Sequence, residues 1–321
     1  MEFIVKPSRL KGAVIIPGSK SHTIRALVFA LLGSGESFIE EPLDSSDTRS
    51  CRSMIQRFGA RIEESAGGWN VTGTGGALTA PDDVVDVGNS GTTLYIGLGI
   101  ASLADGYTVF TGDHQIRSRP AEGLMASIQD LGGTAYSTRG NGMPPIVIGG
   151  KIAGGTTSIK AVTSQYLTSL LIAAPCAAGD TVIRVPLLNE KPYVTMTMSW
   201  LDRLGIRYTT DNYQSFSIPG RQRYPNFREY IAADFSSATF FLVAAAITGS
   251  ELVLKGPDWN DTQGDKEVVN ILKAMGAEVN IGDKTITIRG VRLKGGVFDL
   301  NAIPDALPAL SVAACFAEGE T

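Results

Sequence analysis

The chain has 321 residues, 43% of them hydrophobic and 37 of them glycine, and a formal net charge of −4. That length predicts two domains, each able to bury a core, and the mild acidity excludes a dedicated nucleic-acid binder, which would carry a basic patch or stripe. Cys51, Cys176 and Cys315 stand far apart and His22 and His114 are the only imidazoles, so neither a disulfide framework nor a Cys/His metal site is expected.

Glu2, Lys6, Arg9 and Lys11 interrupt any secretory leader after Met1. The longest apolar runs, such as Phe240 to Ile247, are too short to span a bilayer. The expectation is a cytoplasmic α/β protein with no membrane segment, no metal and no organic cofactor.

In chain order, one phrase recurs five times: a polar tip, an apolar helix, a Gly-marked turn and a β-type run. The apolar helices include ALVFALL from Ala26, LTSLLIAA from Leu167, FFLVAAAI from Phe240 and ALSVAACF from Ala309. The turns that follow are marked by Gly35, Gly106, Gly179, Gly249 and Gly319. A second phrase, an amphipathic helix such as Ser50 to Phe58 or Glu267 to Met275, closes on Gly59, Gly132, Gly205 and Gly276. Two independent markers with one period of about 70 residues define a repeat architecture. Helices without a polar stripe are expected to be buried on all sides, and the amphipathic ones to face solvent.

The repeat reads as βαβαββ and predicts two pseudo-symmetric lobes of about three repeats each. Residues 13–226 form the first lobe in this reading, and residues 1–12 with 227–321 an incomplete second lobe. Six such repeats need roughly 425 residues, so by its own periodicity the sequence is expected to be incomplete.

Aligning the repeats places unusual residues just before each apolar helix: Gly18-Ser-Lys-Ser-His-Thr-Ile-Arg25, Gly88-Asn-Ser-Gly-Thr-Thr93, Thr163-Ser-Gln165, Asp234-Phe-Ser-Ser237 and Ile303-Pro-Asp-Ala306. Helix N-termini offer unpaired N–H groups and the positive end of the dipole, so several converging tips make an anion site. Lys20, Arg25, Arg117 and Arg119 add cations, and guanidinium groups pair in bidentate fashion with carboxylate or phosphate. Ser, Thr and Asp at these places also read as ordinary N-caps, which holds for Asp234, Ser236 and Ser237 as much as a ligand role. Asp305 has the same two readings. The cysteines read as core residues and the two histidines as structural or surface groups.

GSKSHTIRAL, GNSGTT, RSRP, TSQYLTSLL, DFSSATFF and IPDALP, in this order, resemble the 5-enolpyruvylshikimate-3-phosphate (EPSP) synthase family from Lys6 to Thr321. The resemblance implies an enolpyruvyl-transferase-like fold of two lobes closing over the substrates. It also implies transfer of the enolpyruvyl group from phosphoenolpyruvate to the 5-hydroxyl of shikimate 3-phosphate, with release of phosphate and without cofactor. Such chemistry needs a base for the hydroxyl, an acid for the methylene carbon, and cations for the phosphates and carboxylates. By resemblance, Ser21, Arg25, Thr163, Ser164 and Gln165 hold shikimate 3-phosphate, while Lys20, Asn89, Gly91, Arg119 and Gln165 surround phosphoenolpyruvate. Asp305 is the implied proton acceptor, in a different lobe from Lys20, which touches both substrates. The full-length protein is expected to be a monomer.

Tyr95 stands where the family commonly has arginine, and Glu190 where it has a serine facing the shikimate phosphate. A carboxylate there repels phosphate unless Lys191 neutralises it or it turns away. The family's later Lys, Glu and Arg residues fall beyond Thr321, so weak binding of shikimate 3-phosphate and negligible turnover are expected. A non-catalytic binding fragment is therefore an alternative. The related UDP-N-acetylglucosamine enolpyruvyl transferases use Lys-Asn at the first tip and a loop cysteine; this chain has Lys20-Ser21, and no cysteine between Gly112 and Arg119.

Overall fold

A computed structural model describes residues 2, 4–6 and 8–321. Within the segment 1–12, Met1, Phe3 and Pro7 lie outside the described residues. The first repeat runs β1 (Lys11–Ile15), α1 (Lys20–Leu32), β2 (Glu36–Glu40), α2 (Ser46–Arg57), β3 (Arg61–Ser65) and β4 (Gly68–Thr72). The second runs β5 (Val85–Asp86), α3 (Gly91–Ala101), β6 (Tyr107–Thr111), α4 (Glu122–Asp130), β7 (Thr134–Ser137) and β8 (Ile146–Gly149). The third is β9 (Gly155–Ala161), α5 (Ser164–Ala173), β10 (Thr181–Leu188), α6 (Lys191–Arg203), β11 (Thr209–Asp211) and β12 (Ser215–Ile218). The fourth is β13 (Arg228–Tyr230), α7 (Phe235–Thr248), β14 (Glu251–Lys255), α8 (Glu267–Ala274), β15 (Glu278–Gly282) and β16 (Thr285–Arg289), and α9 (Leu307–Cys315) follows. The βαβαββ phrase expected from the glycine spacing is therefore the repeat of the fold.

The described strands form four-stranded mixed sheets with a parallel first pair and antiparallel remainder; the second and third repeats build theirs from their own strands, as β5-β6-β8-β7 and β9-β10-β12-β11. The period has a backbone cause. Gly59 and Gly276 end their amphipathic helices at φ +108° and +112°, a region that side chains with a Cβ rarely adopt.

The chain divides into two compact units, residues 20–231 and residues 1–19 with 232–321. They exchange first strands. β1 precedes α1 in sequence but pairs in parallel with β14, whereas β13 precedes α7 and pairs in parallel with β2. Where the chain leaves one unit for the other, Ser19 N donates to Ala232 O at 2.8 Å and Asp234 N to Pro17 O at 2.9 Å.

In the unit of residues 20–231, α1, α3 and α5 are buried nearly all round, with Leu27, Phe29, Leu31, Leu94, Ile96, Leu167 and Leu171 fully buried. Truncating one such leucine to alanine costs about 2–5 kcal/mol. The amphipathic α2 shows the opposite pattern, burying Thr48, Cys51, Met54 and Ile55 on one face. It starts at Ser46, ahead of the expected Ser50, because Ser45 and Thr48 cap each other's backbone N–H in a capping box.

The unit of residues 1–19 and 232–321 has its own core, built from Phe235, Leu242, Leu254, Val268, Leu272, Ile288 and Leu310 among others. Here the expectation of helices buried on all sides fails. α7 leaves Phe240 56% and Phe241 37% exposed, and α9 leaves Leu307 55% and Val312 47% exposed. α7 packs on β14 and β16 of the β1-β14-β16-β15 sheet and α9 packs on α7, so their outer faces meet no further layer among the described residues. Cys315 lies on such a face and is exposed, which corrects its reading as a core residue; Cys51 is buried and Cys176 partly so.

Candidate active site

The tip of α1 begins with Lys20, half-buried, then Ser21 and the buried His22, Thr23 and Arg25. Arg25 is 2% exposed. Its Nε donates to Thr197 Oγ1 at 2.9 Å, Nη1 to Ser21 O at 3.0 Å, and Nη2 to Tyr193 O at 2.9 Å and Thr168 Oγ1 at 3.5 Å. These partners are neutral oxygens, so among the described residues the buried cation is held by dipoles, and burial lowers its pKa to about 10. Taking a charge out of water without a counter-ion is costly, and a bound anion would remove that cost. His22 is structural, as read from sequence: its Nδ1 accepts the indole N–H of Trp200 at 2.9 Å.

At the tip of α3, Ser90 is the N-cap and accepts from Thr93 N at 3.3 Å. Exposed Asn89 donates through Nδ2 to Asp113 Oδ2 at 2.5 Å and to Gln115 Oε1 at 3.1 Å. Asp113 also accepts the backbone N–H groups of Gln115 and Ile116, which with Asn89 hold its carboxyl below the usual range. Sequence reading passed over Asp113; the signal available was an Asx turn at the head of the Arg117/Arg119 segment. Arg117 is exposed and braces its own loop by donating to Gly112 O. The half-buried Arg119 lies against Gly91, so that a Cβ there would collide with Nη1.

Tyr95 is 5% exposed and does not leave a gap where the family has a cation. Its hydroxyl and that of Tyr166 both donate to Pro120 O, the residue after Arg119. Burial raises both phenols above their ordinary pKa, so both remain protonated donors at neutral pH.

At the tip of α5, Thr163 is the N-cap, its hydroxyl accepting from Gln165 N at 3.4 Å. The Gln165 side-chain Oε1 is buried without a hydrogen-bond partner among the described residues, a cost of about 1–3 kcal/mol that a ligand donor would recover. Glu190 has turned towards this tip: its Oε2 accepts from Ser164 Oγ at 2.7 Å, Ser164 N at 3.0 Å and Thr163 Oγ1 at 3.2 Å. Lys191 does not take the neutralising part considered from sequence; its Nζ stands 4.1 Å from the ring centre of Tyr213.

Lys20, Ser21, Arg25, Asn89, Gly91, Arg119, Thr163, Ser164 and Gln165 all belong to the unit of residues 20–231. Arg25 to Thr168 joins α1 to α5 near their starts, and the Tyr95–Tyr166 edge contact, 5.0 Å between centroids, joins α3 to α5. Asp305 belongs to the other unit. It is exposed in a 3-10 turn (Pro304–Ala306) ahead of α9, whose N-cap position is Ala306, so its N-cap reading does not hold. Asp234 by contrast is the N-cap of α7, accepting from Ser236 N at 2.9 Å. Among the described residues no group of three His, Cys, Asp or Glu could hold a metal ion, and no helix is long and apolar enough to cross a membrane.

The sequence pattern of EPSP synthase (3-phosphoshikimate 1-carboxyvinyltransferase) matches residues 4–321. The chain belongs to the EPSP synthase family. It is 53% identical over 317 residues to the 3-phosphoshikimate 1-carboxyvinyltransferase of Acetivibrio thermocellus and 50% identical to that of Ruminiclostridium cellulolyticum, covering 99% of this chain and 75% of each relative. The Methanosarcina acetivorans enzyme is 41% identical over 328 residues. The solved EPSP synthase of Acinetobacter baumannii superposes with a TM-score of 0.80 at 28% identity, covering 97% of this chain and 72% of that one. The EPSP synthase fold is thus the repeated α/β architecture described above.

Proposed function

We infer that the chain carries the 3-phosphoshikimate 1-carboxyvinyltransferase activity of its family, joining the enolpyruvyl group of phosphoenolpyruvate to the 5-hydroxyl of shikimate 3-phosphate. The unit of residues 20–231 acts as the shikimate 3-phosphate-binding lobe. Ser21, Arg25, Thr163, Ser164 and Gln165 hold that substrate, and Lys20, Asn89, Gly91, Arg119 and Gln165 surround phosphoenolpyruvate. The observation that carries this assignment is the Arg25 guanidinium, buried among neutral oxygens, which calls for an anion. Charge-assisted bonds from such a group are worth about 1.5–3 kcal/mol each.

In the reaction the 5-oxygen bonds to C2 of the enolpyruvyl group and its proton passes to Asp305. The methylene carbon gains a proton and later loses one, and the C2–phosphate bond breaks to release inorganic phosphate. Lys20, at a helix tip and touching both substrates, offsets the negative charge that builds up. The direct test measures inorganic phosphate released from phosphoenolpyruvate with and without shikimate 3-phosphate, in the chain and in Lys20→Met. Against the negligible turnover expected from sequence, the likeness to relatives at 50–53% identity leads us to expect release that needs both substrates and is lost in the variant at unchanged melting temperature. Release that persists in Lys20→Met overturns the role of Lys20, and shikimate 3-phosphate binding heat without release leaves a binding protein only.

A further inference from the structure

We propose that Glu190 is a specificity-determining residue, an internal anion that occupies the phosphate-binding donors of α5 until the substrate's phosphate displaces it. The proposal rests on the reading of the α5 tip as part of the shikimate 3-phosphate site. A single carboxylate oxygen of Glu190 collects a backbone N–H and two hydroxyls, those of Ser164 and Thr163. This is the donor set that a phosphate oxygen seeks at a helix N-terminus.

Glu190 is the N-cap residue of α6, yet its side chain makes no cap bond to that helix. It caps α5 instead, from a left-handed backbone at φ 54° and ψ 40° that residues with a Cβ adopt infrequently. The buried Arg25 lies close by in the fold: Tyr193 O, three residues after Glu190, and Thr168, one turn along α5 from Ser164, both accept from it. The buried donors of Ser164 and the half-buried hydroxyl of Thr163 are thus already engaged by an anion of the protein's own.

A phosphate dianion and the Glu190 carboxylate cannot share these donors, because like charges so placed repel strongly. Binding is therefore an exchange, with Glu190 swinging away. Free inorganic phosphate has no other contacts to offset the expulsion. Shikimate 3-phosphate, which also carries a ring and a carboxylate, can drive it. Glu190 in this way filters small anions out of the site and lowers affinity for the substrate's phosphate in return.

The test is calorimetric titration of the chain, Glu190→Gln and Glu190→Ser with shikimate 3-phosphate, shikimate and inorganic phosphate, together with melting temperatures. Both variants are expected to bind shikimate 3-phosphate and inorganic phosphate at least about tenfold more tightly, with affinity for shikimate, which lacks the phosphate, unchanged. Unchanged or weaker phosphate binding in Glu190→Gln at an unchanged melting temperature overturns the proposal and makes Glu190 a cap only. Should Glu190→Gln melt early, the same comparison in Glu190→Ser decides. Tighter inorganic phosphate binding in the variants, with shikimate 3-phosphate binding to none of the three proteins, upholds the exchange and defeats the substrate reading instead.

Discussion

Tyr95 and Tyr166 direct their hydroxyls to one acceptor, the carbonyl oxygen of Pro120, at 2.9 and 2.6 Å, with their rings meeting edge-on. One tyrosine comes from the first turns of α3 and the other from those of α5, and the carbonyl belongs to the residue after Arg119. The pair therefore fixes the stalk of a cation that contacts the tip of α3 at Gly91.

Tyr95→Phe removes one of these two donors while keeping the ring packing. Stability should fall by about 1 kcal/mol, read by denaturant unfolding. The KM for phosphoenolpyruvate should rise several-fold with kcat less affected, since Arg119 loses orientation and not charge. An unchanged KM would show that Tyr166 alone positions the loop.

Gly91→Ala puts a methyl group where Arg119 Nη1 now lies. The far end of a long side chain gives way easily, and alanine in place of glycine at a compatible backbone angle stabilises by about 0.4–1 kcal/mol by restricting the unfolded chain. The melting temperature should hold or rise while the KM for phosphoenolpyruvate increases. A lowered melting temperature would show that Arg119 is not free to shift.

Arg25→Met exchanges a buried cation for an apolar chain of similar length. The folded-state pKa of about 10 lies below the ordinary 12.5, so between those values the folded protein binds fewer protons than the unfolded chain and gains stability as pH rises. From pH 6 to 9 both states keep the proton. The difference in unfolding free energy between Arg25→Met and the parent chain should accordingly be constant over that range, and within about 2 kcal/mol, because relief of desolvation offsets the lost hydrogen bonds. Calorimetry should show shikimate 3-phosphate affinity falling by more than about tenfold, the worth of one charge-assisted bond.

Asp305→Asn tests the proton acceptor in the second unit. The residue is exposed and is not the cap of α9, so the melting temperature should not move. Loss of a general base costs about 10²–10⁴ in rate, which phosphate-release kinetics would register. Full turnover in this variant would remove Asp305 from the mechanism.

The repeat and the helix-tip motifs were legible in the sequence because both are local: a Gly-closed helix and a polar tip are written within a dozen residues. The partner of Glu190 was not. Its substitution for serine could be seen, but the hydroxyls of Thr163 and Ser164 that receive it come from the preceding helix tip, 26 to 27 residues away. The packing of Tyr95 stayed hidden for the same reason, since its fellow donor Tyr166 belongs to another repeat. Apolar composition alone also could not distinguish the enclosed α1 from the half-covered α7, whose surroundings are set by neighbouring layers.

The exchange of β1 and β13 imposes a schedule on synthesis. The unit of residues 20–231 becomes complete once Tyr230 has emerged, because β13 closes its first sheet. β1 leaves the ribosome ahead of that unit, yet its partner β14 begins at Glu251, opposite Lys11. At about 5–20 residues per second, Lys11 waits on the order of ten to fifty seconds for a strand to pair with. Throughout that interval β1 is an unsatisfied β-edge, and between the emergence of Tyr230 and that of Glu251 it is tethered to a finished body, the point at which a nascent chain is most open to capture by a chaperone or by a neighbouring copy on the same messenger.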